Sequence, residues 1–159
     1  MIIKLSAEAF EPFEEVKRFQ KQQAEFAGAV GATSIFIGTM RDFNDGDSVV
    51  SMSLEYYPGM TERQLEMIVT EALERWVVLN VLVVHRVGDI SPGDPIVLVV
   101  VETSHRGDAF DACRFIMEAL KSKAPFWKKE QLASQQSRWV ENNSKGYAPC
   151  LHWFFESTV

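Results

Sequence analysis

Cysteine is scarce in this 159-residue chain, which contains only Cys113 and Cys150. Two thiols so far apart, without a CxxC pair, exclude a disulfide framework and a closed zinc site. Cys113 falls among apolar residues of a predicted helix, where a buried structural thiol is expected. The three histidines, His85, His105 and His152, are too scattered to predict a metal site. We therefore expect no metal and no other cofactor.

Long apolar runs are missing as well, since none reaches the roughly 18 residues that a membrane span needs. The N-terminal residues 1–5 lack the layout of a signal peptide, so a cytoplasmic protein is expected. The net charge of −6 disfavours binding to nucleic acid. The P-loop, Rossmann, HExxH and GxSxG patterns are absent too. The common signatures of nucleotide, metalloprotease and esterase chemistry therefore do not apply.

The apolar pattern predicts a single domain over residues 1–159 that mixes strands and helices. Strands are predicted at 2–5, 32–38, 49–57, within 77–87, at 96–101 and at 126–132. Helices are predicted at 8–26, from an N-cap at Thr61 to Trp76, and at about 108–122. The continuous apolar run 96–101 predicts a strand buried on both faces, and 41–48 a turn-rich loop. The order predicts a mixed α/β or α+β domain, with two main helices on a mixed sheet.

Basic residues between His105 and Lys129 favour a small anionic ligand over a duplex. His105 and Arg106 lie where a buried strand ends and a helix begins, and helix N-termini present free N–H groups to anions. Arginine adds a planar fork that matches phosphate oxygens. Arg41, directly after Gly38-Thr39-Met40, is a second candidate phosphate ligand. Alternatively, all three side chains are simply solvated and bind no ligand, and the sequence patterns do not decide between these two interpretations.

Two lysines are candidates for chemistry. Lys121 extends an apolar row of the last helix, where partial desolvation would lower its pKa and free its amine. A lysine that keeps its ammonium in solvent at a helix C-terminus is the alternative, and the pattern alone favours it. Lys128 shares a strand face with Phe126, whereas Lys129 lies on the other face. One of these two lysines could therefore face a pocket, unless the strand is simply a charged edge strand.

The pair His85-Arg86 also stands at a strand end, but Val87-Gly88 rather than a helix comes after it. No anion site is predicted there. Without any family resemblance, the residues predict a cytosolic α/β protein with a small-anion site and candidate lysines.

The same motifs, in the same order, resemble the large (catalytic) subunit family of molybdopterin synthase. The resemblance covers roughly residues 29–141 and rests on the joint order of several short motifs. These are GTMR at 38–41, LEYYPGM at 54–60, HRVG at 85–88, PGD at 92–94, SHR at 104–106, LK at 120–121, APFWKKE at 124–130 and RWV at 138–140.

The resemblance implies an α/β hammerhead-type fold and a homodimer, with one small ubiquitin-like sulfur carrier on each large subunit to give a heterotetramer. The carrier's C-terminal Gly-Gly thiocarboxylate is expected to deliver sulfur to cyclic pyranopterin monophosphate, and two rounds would form the molybdopterin dithiolene. Arg41, His105 and Arg106 would hold the phosphate. Lys121 and Lys128 would be the catalytic pair, with Lys121 as proton-transfer or transient acyl-acceptor residue and Lys128 as electrostatic support.

The C-terminal tail 146–159 is atypical of the family, and its aromatic residues are expected to cover a dimer or carrier surface or to pack on the domain. Two rivals to an active subunit remain. A non-catalytic module could keep only the carrier interface, although the five charged residues named above count against it. A phosphate-ester hydrolase would need a carboxylate or histidine cluster to hold a metal or activate water, and the sequence offers none.

Overall fold

The computed structural model describes residues 1–26 and 28–140, so predictions about Cys150, His152 and the tail 146–159 lie outside the described residues. The helices are α1 (Pro12–Gln22), α2 (Met60–Arg75) and α3 (Arg106–Ser122), with a short 3₁₀ turn at Ala24–Phe26. The strands are β1 (Ile2–Ser6), β2 (Ala32–Thr39), β3 (Phe43–Asn44), β4 (Asp47–Tyr56), β5 (Val78–Arg86), β6 (Gly88–Ile90), β7 (Pro95–Thr103), β8 (Phe126–Leu132) and β9 (Ser137–Trp139). The predicted mixed α+β class is confirmed.

The strands form two sheets, whereas the sequence predicted one mixed sheet. The first sheet has the order β1-β5-β7-β2, with β1 parallel to β5 and the other pairs antiparallel. The second is antiparallel, with the order β3-β4-β8-β9 and β6 also paired with β4. It begins in the predicted loop 41–48, where Asp45 and Gly46 have φ of 50° and 88°. Two positive φ values suit a tight hairpin turn, so β3 folds back on β4.

Helices cover both faces of the first sheet. On one face α2 and α3 pack on alternate residues of the two central strands β5 and β7. On the other face Phe10 and the α1 residues Val16 and Phe19 pack on the intervening residues of the same strands. The prediction that 96–101 is buried on both faces is therefore confirmed.

Helix starts differ from the predictions at two places. The first helix begins at Pro12 and not at residue 8, because proline at the first helical position loses no helical hydrogen bond and has the required φ. The last helix begins at Arg106, two residues before the predicted start, with His105 in the N-cap position.

No helix in the described ranges is long and apolar enough to cross a membrane. The single domain and the cytoplasmic location stay predictions.

Thr61 is not the N-cap of α2, as the sequence predicted. Gly59 holds that position with φ 82°, and the carboxylate of Glu62 accepts a hydrogen bond from its N–H at 2.6 Å. Thr61 is fully buried. Its hydroxyl accepts a hydrogen bond from the Tyr57 N–H at 3.1 Å and donates to the Pro125 carbonyl at 3.3 Å. It therefore ties the start of α2 to the segment that leads into β8.

Candidate active site

A cavity of about 520 Å³ lies between the end of β2, the last turn of α3 and the inner face of β8. That volume suits a small-molecule ligand. Apolar and aromatic side chains supply much of the wall, among them Phe36, Met117 and Phe126. The polar and charged lining residues are Thr39, Arg41, Asn44, His85, Lys121, Lys128 and Glu130. The cavity thus collects three cationic side chains in a partly apolar setting.

Lys128 faces the cavity, whereas the strand alternation predicted only that one of Lys128 and Lys129 could do so. Phe126 and Lys128 are half-buried on one face of β8, and Trp127 and Lys129 are exposed on the other. The pKa of Lys128 is lowered, first by burial and then by the nearby charge of Lys121, against an opposing effect of Glu130. Burial disfavours the charged form, so the free amine is more accessible here than in a solvated lysine.

Lys121 reaches the same cavity from the last turn of α3, next to Met117 and Leu120. The predicted apolar row therefore does lead to the pocket. Its charge lowers the pKa of Lys128, which places the two lysine side chains within electrostatic range of each other. The two lysines that the family resemblance paired come from different elements and line one cavity.

Arg41 and Thr39 line the cavity at the end of β2. The guanidinium carbon of Arg41 lies 4.9 Å from the centroid of the Phe43 ring, a cation–π distance. Just before them Gly38 passes close to β7, because a Cβ at this position would lie 2.7 Å from Val97 Cγ1. Glycine is therefore required for β2 to approach β7 here and to present Arg41 to the cavity.

His105 and Arg106 do not line this cavity. Both are exposed at the start of α3, whereas Lys121 lies near its end. At 1.5 Å rise per residue the separation of Arg106 and Lys121 along the helix is roughly 22 Å. Within one chain, the three predicted phosphate ligands are therefore not together, since only Arg41 is at the cavity.

Glu130 was not singled out by the sequence, although it shares the inner face of β8 with Lys128. It is buried and lines the cavity. Its carboxylate accepts hydrogen bonds from Asn44 Nδ2 at 2.8 Å and from Arg138 Nε at 3.0 Å. Arg138 also donates to Asp47 Oδ2 at 2.7 Å. This network ties β3, β4, β8 and β9 together beside the lysines.

The sequence predicted no site at His85, yet this histidine is buried in the cavity wall. Its ring stacks on Phe126, with centroids 4.0 Å apart and planes 7° from parallel. Burial lowers its pKa to about 4, with a smaller contribution from the charge of Lys128. The apolar strand pattern could have predicted that His85 is buried. Its side chain lies on the same face of β5 as those of Val81 and Val83, which pack against the helices.

Cys113 is buried, and burial raises the pKa of its thiol, so the predicted structural thiol is confirmed. Within residues 1–26 and 28–140, no cluster of three or more histidine, cysteine or acidic side chains could hold a metal ion. The charged and imidazole side chains at the cavity are those of Arg41, Lys121, Lys128, Glu130 and His85.

The MoaE protein family model matches residues 7–123. A molybdopterin synthase catalytic subunit of Ralstonia nicotianae is 59% identical over 112 residues, which are 70% of this chain and 63% of that protein. The subunit of the same description from Pseudomonas aeruginosa is 44% identical, over 96% of this chain and 99% of its own length. A MoaE protein structure from Burkholderia ambifaria superposes with a TM-score of 0.78 at 42% identity, covering 98% of this chain and 99% of that one.

A more distant structure, from Helicobacter pylori, shares the fold at a TM-score of 0.74 and 22% identity, covering 91% of this chain and 93% of that one. It is described as a complex of subunits 1 and 2 of molybdopterin-converting factor. The family model covers most of the chain, and the Pseudomonas relative aligns along nearly its whole length. The chain therefore belongs to the MoaE family of molybdopterin synthase catalytic subunits, and the predicted enzymatic role in molybdenum-cofactor synthesis is confirmed at that level.

Proposed function

We propose that the cavity is the site where sulfur passes from the C-terminal thiocarboxylate of a small carrier protein to cyclic pyranopterin monophosphate. The observation that carries the proposal is the meeting of Arg41, Lys121 and Lys128 in one cavity of about 520 Å³. Both reactants are anions, and three cationic side chains in a partly apolar wall attract and orient them more strongly than solvated ones would. The aromatic residues Phe36 and Phe126 offer flat apolar surfaces to the pterin.

The chemistry requires both charge stabilisation and proton transfer. The thiocarboxylate sulfur attacks a side-chain carbon of the pterin as the C–O bond at that carbon breaks. The leaving oxygen is that of the cyclic phosphate ester in one round, which opens the phosphate ring, and that of a hydroxyl group, lost as water, in the other. Water then hydrolyses the resulting thioester. This step leaves sulfur on the pterin and returns the carrier as a carboxylate. Lysine ammonium groups stabilise the negative charge that develops, and a lysine amine accepts the proton that water releases.

We base the division of labour between the lysines on the pKa of Lys128, which burial and the charge of Lys121 lower. We therefore assign proton transfer to Lys128 and electrostatic support to Lys121, the reverse of the division expected from the resemblance alone. A base works best when its pKa lies near the working pH, and burial moves Lys128 in that direction.

Two observations support a small carrier protein as the partner of this chain: a structurally similar protein and the shape of the cavity. The Helicobacter pylori structure described as a two-subunit complex has the same fold. The cavity of this chain is partly open to solvent, and Gly38 and Ala124 are among its lining residues. An extended Gly-Gly tail is slender enough to enter such an opening, and its thiocarboxylate would meet the lysines at the end.

A homodimer accounts for the position of His105 and Arg106. Strand β2 ends the order of the first sheet, and Ile35 and Phe36 at its centre are partly exposed. If two β2 edges pair antiparallel about this centre, Ala32 of one chain lies opposite Thr39 of the other. Because Ala32 pairs with Thr103, just before α3, the second chain's His105 and Arg106 would approach the first chain's Arg41. We therefore propose that each phosphate site draws on both chains.

A single-turnover assay tests the catalytic assignment. Purified chain is mixed with thiocarboxylated carrier and cyclic pyranopterin monophosphate, and dithiolene product is measured for wild type, Lys128→Ala and Lys129→Ala. Lys129 is a matched control, because it is the adjacent lysine on the outer face of the same strand. We expect a rate loss of at least about 100-fold for Lys128→Ala and little change for Lys129→Ala. A wild-type chain that binds carrier but makes no product would favour the non-catalytic module.

Subunit mixing tests the shared phosphate site. Lys128→Ala and Arg106→Ala chains, each inactive alone, are unfolded together, refolded and assayed. If one site uses Lys128 of one chain and Arg106 of the other, a mixed dimer has one intact site. Random pairing then restores about a quarter of wild-type activity. If both residues serve the same chain's site, no mixed dimer contains an intact site and the mixture stays inactive.

A further inference from the structure

His85 lines the cavity, yet neither the sequence nor the proposed reaction gives it a role. Its side chain is almost fully buried at the end of β5, yet it forms part of the cavity wall beside Lys128 and Phe126.

One ring nitrogen has a partner that fixes the tautomer. His85 Nδ1 lies 2.7 Å from the backbone carbonyl oxygen of Arg86. A carbonyl only accepts hydrogen bonds, so Nδ1 carries the proton and Nε2 carries a lone pair. Within residues 1–26 and 28–140, the hydrogen bond found for the His85 side chain is that at Nδ1, and Nε2 is not among the buried side-chain atoms left without a partner. The ring thus presents, at the edge farthest from the strand, an acceptor that a ligand in the cavity can reach.

The ring is also held rigidly. It stacks nearly parallel on Phe126 at 4.0 Å, while the Arg86 carbonyl fixes its rotation. The stack joins β5 of the first sheet to β8 of the second, the strand that carries Lys128. A rigid acceptor binds a correctly placed ligand donor more strongly than a mobile acceptor would, because it loses little conformational entropy on binding.

We propose that His85 is a specificity-determining residue whose Nε2 accepts a hydrogen bond from a ring N–H or amino group of the bound pterin. The inference rests on the proposed function, since the cyclic pterin phosphate is the ligand that function supplies. Pterins carry N–H donors on a flat ring, and the cavity offers an aromatic wall at Phe126 together with cations for the phosphate. The neutral imidazole adds a hydrogen-bond acceptor to this wall of the cavity.

Two amide variants separate recognition from structural support. In His85→Asn, the amide N–H₂ can replace Nδ1–H and keep the bond to the Arg86 carbonyl, but nothing replaces Nε2. In His85→Gln, the longer side chain places its amide oxygen near the position of Nε2, but it loses the bond to the carbonyl. The experiment measures the dissociation constant of cyclic pyranopterin monophosphate for each chain by calorimetry, and kcat and KM in the synthase assay. Near-ultraviolet circular dichroism checks the folding of each variant.

The proposal expects His85→Asn to bind the pterin roughly 10- to 100-fold more weakly than wild type, because a donor is left unpaired in the pocket. His85→Gln should recover most of that loss. The effect should fall on the dissociation constant and KM more than on kcat. Equal weakening in both variants, or better binding by His85→Asn, would overturn the inference and leave His85 a structural role. A wild-type chain that binds no pterin phosphate would instead overturn the proposed function.

Discussion

Acidification should destabilise the protein through His85 well above the pH at which most carboxylates titrate. The pKa of this histidine falls from 6.5 to about 4 in the folded chain, chiefly because burial disfavours the imidazolium. Between those values the unfolded chain binds a proton and the folded chain does not. Stability contributed by the neutral ring is therefore complete above pH 6.5 and is lost as the pH falls toward 4.

The size of the effect can be worked out from the two pKa values. At pH 5, a shift from 6.5 to about 4 lowers the free energy of unfolding by roughly 2 kcal/mol relative to pH 7. Lys121, Lys128 and Glu130 line the same cavity as the ring. They are present in both wild type and a His85 variant, so a difference between the two chains largely removes their contribution.

Urea unfolding of wild type and His85→Asn at pH 7 and pH 5 measures this difference. The amide does not titrate, so the variant should lose roughly 2 kcal/mol less than wild type between the two pH values. Circular dichroism monitors the transition, and equal slopes against urea show that the unfolded states are comparable. Parallel losses in the two chains, to within about 0.5 kcal/mol, would refute the argument that a buried neutral imidazole is present.

Two further predictions concern the inner face of β8. Replacing Glu130 by alanine removes acceptors from Asn44 and Arg138 and should lower the free energy of unfolding by about 2–4 kcal/mol in urea. The exposed control Glu55→Ala should change it by less than about 0.5 kcal/mol, and equal effects would count against the network. Lys128→Met should abolish activity yet raise stability at pH 7 by roughly 0.5–2 kcal/mol. Because the pKa of Lys128 is lowered in the folded chain, the unfolded chain binds more protons in the pH range below the ordinary lysine pKa. The stability of wild type should therefore rise with pH in that range. Thermal unfolding of Lys128→Met at several pH values should lack this rise.

Local periodicity predicted much of the fold because the first sheet is a conventional layered core. The apolar run 96–101 became β7, and the strand 126–132 has the predicted limits. The second sheet was missed because β3, β6 and β9 are two or three residues long. Such strands are stabilised by their partners and not by their own apolar pattern. Asp45-Gly46 was the one local signal, since this dipeptide favours a tight hairpin.

The candidate site was predictable where one element decides the direction of a side chain. Alternation along β8 separated Lys128 from Lys129, and helical spacing put Lys121 beside Met117. The site of His105 and Arg106 could not be predicted in this way. A helix N-terminus predicts that an anion can bind there, but not which cavity the anion occupies. The distance from Arg106 to Lys121 is set by the full length of α3, so the residues around His105 and Arg106 do not reveal it.

His85 shows why the local pattern was insufficient. Its immediate neighbours in the sequence indicate no site, whereas its role depends on Phe126, which lies 41 residues later and packs against its ring. The same apolar wall has different consequences for the two bases beside it. Burial lowers both pKa values. The histidine starts near neutrality and becomes a lone-pair acceptor at neutral pH, while the lysine starts far above neutrality and gains an accessible amine. In the proposed reaction, the histidine therefore contributes recognition without competing for the proton that we assign to Lys128.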